Sequence, residues 1–350
     1  MSKDNDWAAI YSTQRYAYEQ YCEKLKDLFT LILKTHKIEF VQMEARAKGV
    51  GSFTEKIQRK GGKYADPMTE ITDLAGVRII TYYLEDIERV ARIIRREFSV
   101  LEEHSGDKQA ELADNEFGYS SFHLVLELGE NRSKLLEWKQ FEGLKAEVQV
   151  RTALQHAWAA VNHKLDYKQS QDSPRELRRR LFRLSALFEL ADEEFSQIRK
   201  AGLKISADYE REMGHGGYDL EVNVNSVAAW AKIDPIANKI REIAQGVGWT
   251  VIASADTDQV PSIDRTDLVR LAASQGMQTI GDLRDFLQEV EQFIEPVLRV
   301  LAKAGTGEQD SSVEDLVTQI ILVCKKLPPE TWNDYYEQAE EFQEACSLIS

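Results

Sequence analysis

The chain has 350 residues, 43% apolar and 29% charged, with 44 Lys and Arg against 59 Asp and Glu; that length is ordinary for two folded domains or one large one. No apolar run reaches the roughly 20 residues of a membrane span, and MSKDNDWAAI carries no signal-peptide core, so a cytoplasmic protein with no membrane partner is expected. The three cysteines, Cys22, Cys324 and Cys346, are unpatterned, which suits a reducing compartment and excludes a cysteine-built metal site.

The acidity is uneven. Residues 216–350 hold 10 Lys and Arg against 23 Asp and Glu, while residues 1–215 hold 34 against 36. The overall charge therefore says little about what the first part binds.

Residues 7–45 read as one long amphipathic helix, with Tyr18, Tyr21, Leu25, Leu28 and Ile32 stepping by three and four. The stretch RAKGVGSFTEKIQRKGGK, 46–63, gathers Arg46, Lys48, Lys56, Arg59, Lys60 and Lys63 around glycines and Ser52. Ser52 and Glu55 have the spacing of a helix cap. The stretch reads either as a solvated basic turn or as an anion cradle in which backbone N–H groups and cations meet phosphate. Residues 71–83, ITDLAGVRIITYY, form a predicted strand. Asp73 stands at its start and Arg78 inside an apolar run, where a charge needs a partner or a ligand; a salt bridge between these two is one reading.

Residues 84–98 make a helix with Ile87, Val90, Ile93 and Ile94 on one face, and 99–117 read as a loop. In FGYSSFHLVLEL, 117–128, Tyr119, Ser121 and His123 alternate with Phe122, Leu124 and Leu126. The open face suits base stacking and phosphate contact, or a plain cross-strand aromatic pair. The next signal is the strongest. In KAEVQVRTALQHAWAAVNHKLDYK, 145–168, a period of two puts Ala146, Val148 and Val150 inward and Glu147, Gln149 and Arg151 outward. The spacing then turns helical through Leu154, Trp158, Val161 and Leu165, and this helix bears His156 and His163.

Residues 174–200 form a helix opened by Pro174, with Arg175, Arg178, Arg179, Arg180 and Arg183 in its first turns. Basic charge there opposes the helix dipole, so it is either a solvated face or a polyanion contact. Gly214, Gly216 and Gly217 mark a linker. Beyond it, helices are predicted near 226–245, 266–275, 281–304, 312–326 and 330–348, with a short strand at 249–253.

Four motifs occur in one order: R-x-K-x3-S-x3-K from Arg46 to Lys56, DLAGVRI from Asp73, GYSSFH from Gly118, and EVQVRT-x3-HAW from Glu147. This combination resembles the synthetase domain of the RelA/SpoT-homologue family, the guanosine tetra- and pentaphosphate (alarmone) synthetases, over about residues 40–200. No His-Asp dipeptide occurs, so the resemblance is to the small, hydrolase-free kind. It implies an α/β (α+β) nucleotidyltransferase-like fold: a mixed sheet of four to five strands flanked by helices, in a domain over 1–213, followed by an all-helical acidic domain over 218–350. It implies a pyrophosphokinase that moves the β,γ-pyrophosphate of ATP onto the 3′-hydroxyl of GDP or GTP with Mg²⁺.

By the same resemblance, Asp73 and Glu147 are the catalytic, metal-holding pair, and Arg46, Lys48, Ser52, Lys56 and Arg78 bind ATP. Tyr119, His123, Gln149 and His156 bind the acceptor, with Tyr119 stacked on the base. Asn115 stands where the family often has a lysine, a departure on the acceptor side. Other readings stand beside this one: a toxin-like relative that pyrophosphorylates the 3′ end of tRNA, or a different nucleotide acceptor, and, from another class, a non-catalytic nucleotide-binding regulator. The C-terminal domain is expected to serve a homo-oligomer or a regulatory partner.

Overall fold

The computed structural model describes residues 6–61, 63–107, 121–164, 175–252, 262–304, 310–328, 331 and 339–349. Packing divides the chain into two compact units, Met1–Ile198 and Arg199–Ser350. Tyr119 and Asn115 lie outside the described residues, as do the side chains of His163, Arg175 and Arg178.

In the first unit the described elements are α1 (Trp7–Thr35), β1 (Phe40–Ala47), α2 (Val50–Arg59), α3 (Pro67–Glu70), β2 (Ala75–Thr81), α4 (Leu84–Glu97), β3 (Ser99–Val100), β4 (Gly106–Asp107), β5 (Phe122–Glu127), α5 (Glu130–Ser133), β6 (Ala146–Thr152) and α6 (Ala153–Lys164). Helix α7 (Arg175–Gly214) starts in this unit and ends in the next. The sheet has six strands in the order β1-β2-β6-β5-β3, with β4 also paired to β5. Among the described strands of this sheet, β2 and β6 run parallel and the other pairs are antiparallel. The strands beyond the expected four to five are the two-residue pieces β3 and β4 in the stretch read as a loop.

Helix α1 is shorter than its sequence suggested. Asp6 caps it through Ala9 N–H (3.1 Å), and it stops at Thr35, after which Lys37 takes a left-handed turn (φ 52°). The chain then reverses into β1, so residues 40–45 are strand rather than helix, and the first two residues of the basic stretch, Arg46 and Ala47, complete that strand. Helix α2 also starts differently: Gly49, not Ser52, is its N-cap, and Ser52 sits in the first turn.

The period-two pattern of the strands sorts the sheet into two faces. Val77, Ile79, Val148, Val150, Leu124 and Leu126 are buried in one core with Tyr21, Leu25 and Phe29 of α1 and Val90 and Ile94 of α4. Burial of this apolar area from water is the main stabilising term. The opposite face carries the polar residues. On α6, Trp158 is buried and Leu154 half-buried but Val161 is 55% exposed, so the expected apolar stripe is only partly covered over its described residues; Leu165 lies outside them.

The β6–α6 junction is locked by a capping box. Thr152 Oγ1 accepts from Gln155 N–H (3.1 Å), and Gln155 Oε1 accepts from Thr152 N–H (2.9 Å). Thr152 Oγ1 also donates to Asp192 Oδ2 of α7 (2.6 Å). Asp192 is 1% exposed, and burial pushes its carboxyl up to about 7. Its folded value thus lies above its unfolded one, so the folded state holds a proton that the unfolded state has lost. Stability is fully present below the ordinary carboxylate range and drains away as pH rises to about 7. Asp192→Asn keeps an acceptor for Thr152 and cannot ionise. Chemical denaturation at pH 5, 6, 7 and 8 should show wild-type stability declining and the variant flatter; parallel curves would place the titration elsewhere.

The second unit is nearly all helical: α8 (Val224–Ile233), α9 (Pro235–Gly246), α10 (Ser262–Ser274), α11 (Ile280–Glu289), α12 (Glu291–Ala304), α13 (Val313–Cys324) and α14 (Ala339–Ser347). The short strands β7 (Thr250–Val251) and β8 (Asp310–Ser311) pair in parallel. Every residue from Val313 to Val323 except Asp315 is buried, so α13 is the central helix of this unit. Two segments read as single helices are each divided. Asp234 ends α8 and caps α9 with Pro235 at its first position. The C-cap of α11 at Val290 separates it from α12.

Candidate active site

Strand register builds the polar face. Arg78 of β2 lies between Glu44 of β1 and Gln149 of β6, and Gln149 lies opposite His123 of β5. One step along, Gly76 lies between Arg46 and Glu147. Directly opposed residues point to the same side of a sheet, so two rows of polar side chains face one way. Gly76 adds no side chain to its row; a Cβ there would sit 3.6 Å from Arg46 O, inside the groove.

A cavity of about 390 Å³ opens on this face, lined by Glu44, Arg46, Lys48, Ser52, Asp73, Gly76, Arg78, Glu147 and Gln149 among others. Asp73 precedes β2 and meets two cations. Lys48 Nζ donates to its Oδ2 (2.7 Å), and Lys56 Nζ lies 3.0 Å from its Oδ1. Oδ1 is buried and accepts no aligned hydrogen bond. Burial pushes the Asp73 carboxyl up, but the two lysines outweigh it and hold it below its ordinary value.

Glu147 is held from both sides. Its Oε1 accepts from His123 Nδ1–H (2.9 Å) and its Oε2 from the Gln149 amide (3.1 Å). A carboxylate only accepts, so the His123 proton is assigned to Nδ1, and Nε2 faces the Ser121 hydroxyl at 2.7 Å. At the far end Arg151 Nη2 donates to Gln149 Oε1, which turns the amide so that its NH₂ meets Glu147. Burial raises the Glu147 carboxyl, but the His123 bond prevails and its value is lowered. Both acids are therefore carboxylates at neutral pH.

Arg78 pairs with Glu44 Oε2 (2.7 Å) and not with Asp73 as the sequence allowed. His156 does not line this cavity, but its ring lies within reach of the charges of Arg151, Glu44 and Arg78. Its Nδ1 is buried and unpartnered, and burial followed by the charge of Arg151 pushes its value down. Ser121, Glu44 and Arg151 also belong to the network; the sequence places Ser121 and Arg151 on open strand faces without a role, and gives no sign of Glu44. Arg151 is 8% exposed, and burial followed by Arg78 lowers its guanidinium to about 10, so it stays charged. Arg179, Arg180 and Arg183 of α7 are exposed to solvent.

Among the described residues no three His, Cys, Asp or Glu side chains form a metal cage. The donor set still fits Mg²⁺, which characteristically takes one or two carboxylates and fills its shell with water and substrate phosphate. Asp73 and Glu147 are two ionised hard-oxygen donors in one cavity, and Asp73 Oδ1 is a buried acceptor without an aligned donor.

Residues 45–172 match the family described as "Region found in RelA / SpoT proteins". GTP pyrophosphokinase YjbM of Bacillus subtilis (strain 168) is 34% identical over 220 residues, which span 59% of this chain and 95% of that protein. GTP pyrophosphokinase YwaC of the same organism is 30% identical over 164 residues, spanning 45% of this chain and 72% of that protein. Among solved structures, the small alarmone synthetase 1 of Bacillus subtilis bound to its product pppGpp is 31% identical, with a TM-score of 0.44, covering 57% of this chain and 98% of that one. Among the described residues, no helix is long and apolar enough to cross a membrane.

Proposed function

The chain belongs to the RelA/SpoT family, and from that we propose that the Asp73–Glu147 cavity is its active site. The protein is a GTP pyrophosphokinase-type transferase that makes (p)ppGpp. The bond between the α-phosphorus-bound oxygen and the β-phosphorus of ATP breaks, the β-phosphorus bonds to the 3′-oxygen of GDP or GTP, and AMP leaves. The hydroxyl proton must be accepted as this happens.

The observation that carries the assignment is that two ionised carboxylates and Lys48 line one cavity, with Lys56 paired to one of the carboxylates and the other carboxylate fixed from both sides. Phosphoryl-type transfer is mostly positioning and charge stabilisation. Lys48 and Lys56, now on Asp73, supply cations for the donor triphosphate, and Ser52, Arg46 and Arg78 complete that side. Glu147 faces the acceptor hydroxyl and takes its proton; His123 and Gln149 keep its oxygens oriented for that. Asp73 and Glu147 would hold Mg²⁺, which when bound supplies charge neutralisation to the phosphate oxygens. Tyr119 stacks on the guanine and His156 lies on the acceptor side.

Incubating the full chain with labelled ATP and, separately, GDP, GTP, ADP or deacylated tRNA tests the acceptor. Label is expected on guanosine nucleotides; label on ADP or tRNA would overturn the acceptor assignment. The two sides of the site should separate kinetically. Lys56→Ala raises the KM for ATP while leaving that for GDP within about twofold. Tyr119→Ala does the reverse, raising the GDP KM by about tenfold or more through loss of a stacked base. Equal effects on both substrates would mean that the two pockets are misassigned.

A further inference from the structure

We infer that Tyr11 and Arg15, on the first turns of α1, are positioning residues for the donor triphosphate, because they fix the backbone from which Lys48 and α2 project. The inference rests on the reading of this cavity as the ATP site.

Lys48 follows the end of β1, where the sheet no longer satisfies its peptide groups. Its C=O accepts from Tyr11 Oη (2.7 Å) and from Arg15 Nε (3.2 Å), which fills both lone pairs. Its N–H donates to Leu74 O (2.9 Å), one residue past Asp73. The Lys48 peptide is thus tied on both sides while its ammonium reaches Asp73. The same tyrosine also touches α2. Its ring stacks on Phe53, with centroids 4.5 Å apart and planes 30° apart. Phe53 is fully buried and lies next to Ser52 and three residues before Lys56. One side chain therefore grips the strand exit with its hydroxyl and the cation-bearing helix with its face.

Tyr11 is fully buried, and burial pushes its phenol up to about 12, so Oη keeps the proton it donates. A phenylalanine would fill the same space and keep the same stack. What the tyrosine adds is one hydrogen bond, directed at the one carbonyl beside the lysine. A carbonyl that merely needed satisfying and a carbonyl held to aim Lys48 predict different kinetics.

The test compares the full-length wild type with Tyr11→Phe and with the double variant Tyr11→Phe/Arg15→Gln. Steady-state KM is measured for ATP and GDP, and binding of the α,β-methylene analogue of ATP by calorimetry. Tyr11→Phe is expected to raise the ATP KM and weaken analogue binding by about three- to tenfold, the scale of one lost hydrogen bond. The double variant should go further, and the GDP KM should stay within about twofold. Tyr11→Phe keeps its buried ring, so its melting midpoint should stay close to wild type, and it carries the test alone if the double variant does not fold. Wild-type binding with unchanged variants overturns the inference and leaves the active-site reading standing. Equal losses for both substrates also overturn it, by showing a general loosening. A wild type that does not bind the analogue overturns the donor-site reading and this inference with it.

Discussion

Glu147→Gln should lower pyrophosphate transfer by about a thousandfold or more while the protein stays folded and still binds ATP. Both oxygens of Glu147 are in use, one toward His123 and one toward Gln149. The glutamine variant keeps the shape of the side chain but carries no charge and cannot take a proton from the acceptor hydroxyl. His123 can adapt by moving its own proton to the other ring nitrogen, so the local fold survives. Asp73→Asn should have a comparable effect on turnover for a different reason: Lys48 and Lys56 lose the anion between them. Freed from that pairing, they should bind the triphosphate in the absence of divalent cation at least as well as in the wild type. Circular dichroism, single-turnover rates and calorimetry on the same preparations separate these effects. Near-wild-type turnover by either variant would remove it from the catalytic pair.

Lys48→Met should cost about a hundredfold or more in kcat/KM for ATP, with little change in the acceptor KM. The thioether fills much the same volume, and the backbone ties of residue 48 to Tyr11, Arg15 and Leu74 do not depend on its side chain. What is lost is a cation that donates to Asp73 at 2.7 Å and is only 17% exposed, where charge is screened less than at the surface. Lys56, in the next element, remains, so binding is weakened rather than abolished. An ATP kcat/KM within about threefold of wild type would show that Lys48 serves only to neutralise Asp73.

Much of this site was legible in the sequence where periodicity is strict. The alternation of Ala146, Val148 and Val150 with Glu147, Gln149 and Arg151 gives both the strand and its polar face, and the structure keeps that division except that Arg151 is itself buried. The four motifs bring Asp73, Glu147 and the Lys48–Lys56 cradle together before any coordinates. Strand β1 was hidden for a physical reason. The turn between α1 and β1 uses a left-handed lysine, Lys37, without a glycine or proline to announce it. The alternation of Gln42, Glu44 and Arg46 with Met43, Ala45 and Ala47 is therefore split between an expected helix ending at 45 and the basic stretch that follows it. With β1 missed, Glu44 was missed too, and Arg78 was offered the nearest acid in sequence. Its partner sits 34 residues away and is chosen by strand register.

Arg151 and Ser121 were passed over because each acts through a neighbour. Arg151 sets the Gln149 amide and Ser121 meets the His123 ring, contacts that no spacing rule announces. The Thr152–Asp192 bond likewise joins residues 40 positions apart, brought together by the docking of α7 on the β6–α6 corner.

The most direct measurement is the stoichiometry of the transfer. The full-length chain is incubated with ATP, GDP and Mg²⁺, and the products are followed by phosphorus magnetic resonance. The expected result is one AMP for each guanosine nucleotide that gains two phosphates at its 3′-oxygen, with both Glu147→Gln and Asp73→Asn silent. Formation of ADP and free phosphate, or AMP and pyrophosphate without a modified acceptor, would contradict the assignment of this cavity to pyrophosphate transfer.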